Sequence, residues 1–286
     1  MRRIRVWKIV VCFFGIFGFY EPVFGVQDGL YRFRPGVYVS QDRPPTKKQL
    51  QTLLKGLRLW TGLNEIAIDP AGKLNLGDRS RITGGSKSAH ELIVAAVDSQ
   101  DSFKLERRDN SSTIAFAQIE STERYEDDLG RRHSAWELRI DFSDFTELAG
   151  NDEARAAFDP TTSVVHELVH AILGYFDPTE SDDLLGECER HVNKMRFELG
   201  LPQREHYYPR YRNASNPHGL TFVQGEIRFI GANFDRGKQK TFIVTFDLER
   251  VFDRSRAKSR AAIQSNLLVQ KRSQQNRPIA AAGRIP

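Results

Sequence analysis

Leu50, Leu53, Leu54, Leu57 and Trp60 recur at spacings of three and four between Thr46 and Trp60, which predicts an amphipathic helix that Thr61-Gly62 ends. Asn64 to Asp69 and Lys73 to Leu76 instead alternate, around the proline-initiated turn Asp69-Pro70-Ala71-Gly72, and read as a hairpin. Ser86 to Val97 reads as a second helix. Phe103 to Arg107 and Ser112 to Ile119 flank Arg108 to Ser111 as another hairpin, and Trp136 to Phe142 is a strongly alternating strand. Helical segments follow at Thr161 to Leu173 and Asp183 to Leu199. A late hairpin pairs Glu226 to Ile230 with Thr241 to Phe246 around Asp235 to Lys238. Helices and strands mixed in this way, with no fixed repeat, predict an α+β fold.

The two ends depart from this pattern. Met1 to Lys8 is basic, Ile9 to Tyr20 is an uncharged apolar run of twelve, and Glu21-Pro22-Val23-Phe24-Gly25 follows, the layout of a secretory signal peptide cut after Gly25. Twelve residues span about 18 Å as a helix, short of the roughly 30 Å hydrocarbon core, so an uncleaved anchor is the weaker reading. No later segment is apolar for long enough to span, so no stable membrane span is expected after cleavage and a secreted or periplasmic protein is. Ser255 to Pro286 is rich in Arg, Lys, Gln, Ser and Ala and reads as a solvated tail, with weak attachment to an acidic surface as its functional alternative. The expected division is signal peptide 1–25, folded domain 26–253 and basic tail 254–286. Charge follows it: the two ends carry +3 and +8 of an overall +5, which leaves −6 between them. A nucleic-acid partner is therefore not expected. Of the two cysteines, Cys12 leaves with the signal, so an internal disulfide is excluded.

Within the helix at Thr161 to Leu173 stands His166-Glu167-Leu168-Val169-His170. Two histidines four apart project from one helical face and can present imidazoles to one zinc ion, while the glutamate between them can serve as general base. Asp159-Pro160 supplies a cap and a first position, and Gly174 a stop. An ordinary amphipathic helix with histidines at its polar edge would not need Glu167 at this spacing. Three residues hold zinc in such sites, so a third ligand is sought downstream. Leu184 to Leu199 reads as a helix with Leu185, Cys188, Val192, Met195 and Leu199 inward, Cys188 as a packed thiol, and Glu187 and Glu189 on either side of the stripe. Glu187 is preferred, because His191 one turn on could orient a neighbour. Glu189 stays open. So does Asp177, since His166-Glu-x-x-His170-x-x-x-Gly174-x-x-Asp177 resembles the metzincin pattern with one residue too many before the glycine, a rotation of about 100°.

From His166 to Tyr208 the chain resembles zincin-type zinc metallopeptidases, and among them it is similar to the effector-type metallopeptidases of enteropathogenic bacteria and to toxin-tip domains of Rhs-repeat proteins. The carrying residues are His166-Glu-Leu-Val-His170-Ala, then Glu187, Asn193-Lys-Met-Arg196, Glu198-Leu-Gly-Leu-Pro-Gln-Arg204 and Tyr207. The resemblance implies a zincin-like domain with an antiparallel or mixed sheet, Zn2+ on His166, His170 and Glu187, Glu167 as base, and hydrolysis of a protein or peptide substrate. Trp136 to Phe142 could pair with extended substrate or be a plain interior strand, and His191, Tyr207 or Tyr208 could stabilise an oxyanion. Two other classes remain: a catalytically silent zinc-binding or structural protein on the same scaffold, against which Glu167 argues, and a membrane-tethered adaptor, which leaves the motif unexplained.

Overall fold

The computed structural model describes residues 34–251, apart from 112, 127–128, 180–183, 216–220 and 236–237. The expected signal peptide 1–25 and basic tail 254–286 lie outside the described residues. The first half of the chain gives β1 (Gly36–Val39), α1 (Lys47–Thr61), β2 (Ala67–Ile68), β3 (Leu74–Asn75), α2 (Lys87–Asp98), β4 (Ser102–Arg107), β5 (Ala117–Glu126), β6 (Arg132–Ile140) and α3 (Phe142–Thr146). The second half gives β7 (Ala149–Gly150), α4 (Asp152–Ala157), α5 (Pro160–Leu173), α6 (Gly186–Glu198), β8 (Gln203–Arg204), β9 (Arg210–Ser215), β10 (Thr221–Asp235), β11 (Lys238–Asp247) and α7 (Leu248–Val251). The α+β class stands.

Local signals explain the ends of α1. Thr46 accepts from the Gln49 N–H while Gln49 reaches back to the Thr46 N–H, a reciprocal cap, and the chain leaves the helix at Gly62. The helix buries Leu53, Leu57 and Trp60 against the first hydrophobic core, as its spacing predicts. The short β2–β3 ladder and the long β10–β11 hairpin also fall where alternation placed them, the latter pairing Glu226 with Thr245 and Ile230 with Thr241.

One expected hairpin does not form. Phe103 to Arg107 and Ser112 to Ile119 are not partners: β4 lies between β1 and β6, parallel to both, and β5 begins at Ala117 and runs antiparallel to β6. The intervening chain is carried past a hairpin turn by side chains. The Ser111 and Phe116 N–H groups donate to Asp141 and Asp144, and Asp109 accepts from the Phe142 N–H. The result is a mixed sheet in the order β1-β4-β6-β5, with β6 interior and β5 at an edge. Trp136 to Ile140 therefore belongs to a plain interior strand and cannot accept a substrate strand; β1 and β5 are the edges of this sheet.

α5 touches α1, α2 and α6 as well as β5 and β6, so it is enclosed and residues 161–169 are all buried. The other sheet is antiparallel, in the order β7-β11-β10-β8 with β9 also on β10. Its core gathers Phe116, Phe158, Phe229, Val244 and Phe246, with the Phe116 ring 4.9 Å from Phe158 and 5.4 Å from Phe246. α5 and α6 stand where the two cores meet. Among the described residues no helix is long and apolar enough to cross a membrane.

Candidate metal centre

The sequence at the start of α5 fixes its direction. Asp159 accepts from the Thr162 N–H at 2.8 Å, Pro160 occupies the first turn, and the helix ends on Gly174 at φ 68°, a left-handed conformation that costs glycine little. His166 and His170, one turn apart, then face the same space, their Nε2 atoms 3.1 Å apart. The chain after Gly174 returns Asp177 to that space, with Oδ1 3.2 Å from His166 Nε2 and Oδ2 3.3 Å from His170 Nε2. Gly186 makes the return possible: a Cβ there would lie 2.5 Å from the Pro178 nitrogen. The Cys188 N–H donates to the Phe176 carbonyl, tying the first turn of α6 to the same segment.

Ligand atoms of His166, His170, Asp177 and Cys188 all lie within 4.8 Å of one another. Glu187 adds nothing to this group. It is exposed, because Cys188 and Glu189 are the residues α6 turns inward, and one position along a helix is a rotation of about 100°. The third ligand expected at Glu187 is thus replaced in the gathered set by Asp177, whose extended approach absorbs the extra residue before Gly174. Cys188 is the packed thiol that the inward stripe predicts, and its sulfur also reaches the histidine pair.

Proton positions show what the group requires. His170 Nδ1 is 2.6 Å from the Tyr175 carbonyl oxygen, which can only accept, so that nitrogen carries the proton. His166 Nδ1 faces Glu189 at 3.3 Å. Burial works against ionising Glu189, but Arg196, Arg204 and His166 hold its carboxyl well below the usual range. Both Nε2 lone pairs therefore converge on a carboxylate and a sulfur. Asp177 Oδ1 is buried, with His166 Nε2 at 3.2 Å as its polar neighbour. Such a set needs a cation. Burial alone would lower both imidazoles, yet Asp177 and Cys188 lift His170 to about 10 and His166 well above its ordinary value, and the histidines in turn hold Asp177 well below the carboxylate range. A metal ion would take the place of the protons so held, with two imidazoles, a carboxylate and a sulfur as its donors. The two Nε2 atoms and the Asp177 oxygens lie 3.1–3.3 Å apart, at or just below the roughly 3.3–3.4 Å spacing of donors about 2.0–2.1 Å from one tetrahedral ion, and the four-donor group spans 4.8 Å.

The chain matches no family model, no curated protein and no solved structure.

Around the donors lies a supporting layer. The Tyr207 hydroxyl donates to Asp177 Oδ2 at 2.6 Å and its ring stacks on His166, while the Tyr208 hydroxyl donates to the Pro178 carbonyl. Those hydroxyls hold the Asp177 segment, and His191 packs edge-on against Tyr175. Glu189, fully buried, receives Arg196 and Arg204, and Asn193 receives the Arg204 N–H at 2.7 Å while donating to its carbonyl. Asn193, Arg196, Arg204 and Tyr207, scattered in sequence, are thus one structure. The inward stripe Leu185-Cys188-Val192-Met195 was the signal that could have placed Cys188 and Glu189 toward α5.

Glu167 is fully buried and lies outside the donor group. Its Oε2 accepts from the Ile119 N–H of β5 at 3.0 Å, and Oε1 has no partner. Burial lifts its carboxyl to about 7, against the pull of His166 and His170. A pocket of about 460 Å3, counting its open mouth, reaches this carboxylate between Phe116, Phe158 and Ile227, with Ser163 and His166 on the α5 side.

Proposed function

We propose that the chain is an exported zinc-dependent peptidase with a zincin-like domain, Glu167 its general base and His166, His170 and Asp177 holding the metal. The observation that carries this reading is the state of Glu167. A carboxylate buried on every side, with one oxygen lacking a partner, is costly unless it is used. Its free oxygen is open to a proton, and the pocket reaches it, the arrangement a general base needs. The mixed sheet with its antiparallel edge strand supports the scaffold, and that edge strand offers an extended peptide backbone groups to pair with.

Zinc, when bound, supplies Lewis acidity to a water and to the scissile carbonyl. Glu167 Oε1 receives the proton of the attacking water and passes it to the leaving amine. The Ile119 N–H fixes the other oxygen, so the carboxylate keeps its direction through both transfers. Glu189 and the Tyr175 carbonyl hold the imidazoles in the Nδ1–H form, and Tyr207 orients Asp177.

Glu167→Gln tests the reading: zinc content and unfolding midpoint should stay, while cleavage of a peptide library falls by about 10²–10⁴-fold. Equal cleavage by both forms would remove Glu167 from the chemistry. A second reading, a zinc-binding protein without turnover, is favoured by Cys188, since four protein donors leave no open position. Zinc retention with no cleavage of any peptide by any form would select it. N-terminal sequencing of exported protein, expected to start at Val26, tests the route.

A further inference from the structure

The peptidase reading needs an open coordination position, and the donor group does not leave one. His166 and His170 are each held from behind by a hydrogen-bond acceptor, and Asp177 by the Tyr207 hydroxyl. Cys188 is different. Its rotation is fixed by its neighbours, Gly186 against Pro178 on one side and Glu189 in its arginine clasp on the other. The sulfur, fully buried within the first hydrophobic core, is therefore delivered to the group by the packing of α6. Its sulfur also lies 3.4 Å from the His166 carbonyl, which accepts from a thiol.

We infer that Cys188 is a fourth metal ligand and that the conformation described here is a closed resting form of the peptidase, opened when the sulfur withdraws. The inference rests on the peptidase reading for its second half only. Of the four donors Cys188 is the one whose hydrogen-bond contact outside the donor set is a helix carbonyl, that of His166, and not a dedicated side-chain partner. Loss of His166 or Asp177 would strand a buried partner, Glu189 or Tyr207, and so carries an added cost that loss of Cys188 does not.

The test uses the full chain. X-ray absorption of the zinc-loaded wild type should show one sulfur at about 2.3 Å among nitrogen and oxygen neighbours near 2.0–2.1 Å. Loaded with cobalt(II), the wild type should show a near-ultraviolet thiolate charge-transfer band, which Cys188→Ala and Cys188→Ser lose while still binding one metal per chain. Both variants should cleave a peptide library faster than the wild type. Absence of the sulfur shell with cleavage intact overturns the inference and leaves the peptidase. A sulfur shell with variants no faster than an active wild type overturns the resting form. A sulfur shell with no cleavage by any form keeps Cys188 as a ligand and overturns both the peptidase reading and the resting form. The X-ray measurement decides ligation even if neither variant folds.

Discussion

Glu189→Gln should destabilise the fold without removing the metal. The substitution is almost isosteric and keeps an oxygen that can still accept, so what it deletes is charge. Glu189 is fully buried, Arg196 is 1% exposed and Arg204 9%, so water cannot step in to solvate the two guanidinium groups left behind. Breaking a buried ion pair by removing one partner costs about 3–5 kcal/mol. For a folded body of roughly 200 residues each kcal/mol moves the thermal midpoint by about 2–4 °C, so a fall of about 6–20 °C is expected. Calorimetry in the presence of a chelator isolates this from any contribution of bound zinc. The pH dependence has a definite sign. Since the folded-state value of Glu189 is depressed, its stabilisation is present above its ordinary 4.5 and is lost as pH falls, so wild type and variant should converge in acid. A midpoint within about 2 °C of wild type at neutral pH would refute the burial argument. A correctly folded variant whose metal affinity falls by more than the roughly 10–100-fold of a lost supporting residue would refute the supporting role of Glu189 behind His166.

Asp177→Asn should weaken zinc binding by more than the roughly 10–100-fold typical of a lost supporting residue, while Glu187→Gln should leave it unchanged; a competition titration with a chromophoric chelator that gave the opposite ranking would return the third ligand to α6. Asp144 is pushed up to about 8, by burial first and by Asp141, Asp109 and Glu147 besides. A raised value means that its contribution is full below its ordinary 3.8 and declines as pH climbs toward about 8, so urea midpoints of the wild type should fall across that window and those of Asp144→Asn should fall less. Parallel pH profiles would show that Asp144 is ionised throughout.

What the sequence discloses here is what local rules govern. Thr46 and Gln49 bound a helix because the cap lies within one turn, and Thr241 to Phe246 finds its partner because the two strands are neighbours along the chain. β4 fails the same test. Its alternation is real, but its partners β1 and β6 lie far off in sequence, and the residues that steer the chain away, Asp141 and Asp144, come after both segments of the expected hairpin. The candidate site divides in the same manner. His166, Glu167 and His170 are fixed relative to one another by helical period alone, whereas the choice among Glu187, Glu189 and Asp177 turns on how α6 is rotated against α5 and on the path after Gly174. Both depend on Gly186 meeting Pro178, a contact no spacing reveals.

Among the described residues all four donors come from one short stretch, from the middle of α5 to the first turn of α6, and no sheet contributes any. Closing a loop costs more as it lengthens, by about 0.6 kcal/mol for each doubling, so this one closes early and at small entropic cost. The strands need distant partners, β1 with β4 and β7 with β11. Such non-local pairing is slow. An ion present during synthesis would therefore meet its donors in a helical pair before the sheets exist, and would hold that pair in register while they assemble around it. Order of assembly, as well as chemistry, is written into the short interval between His166 and Cys188.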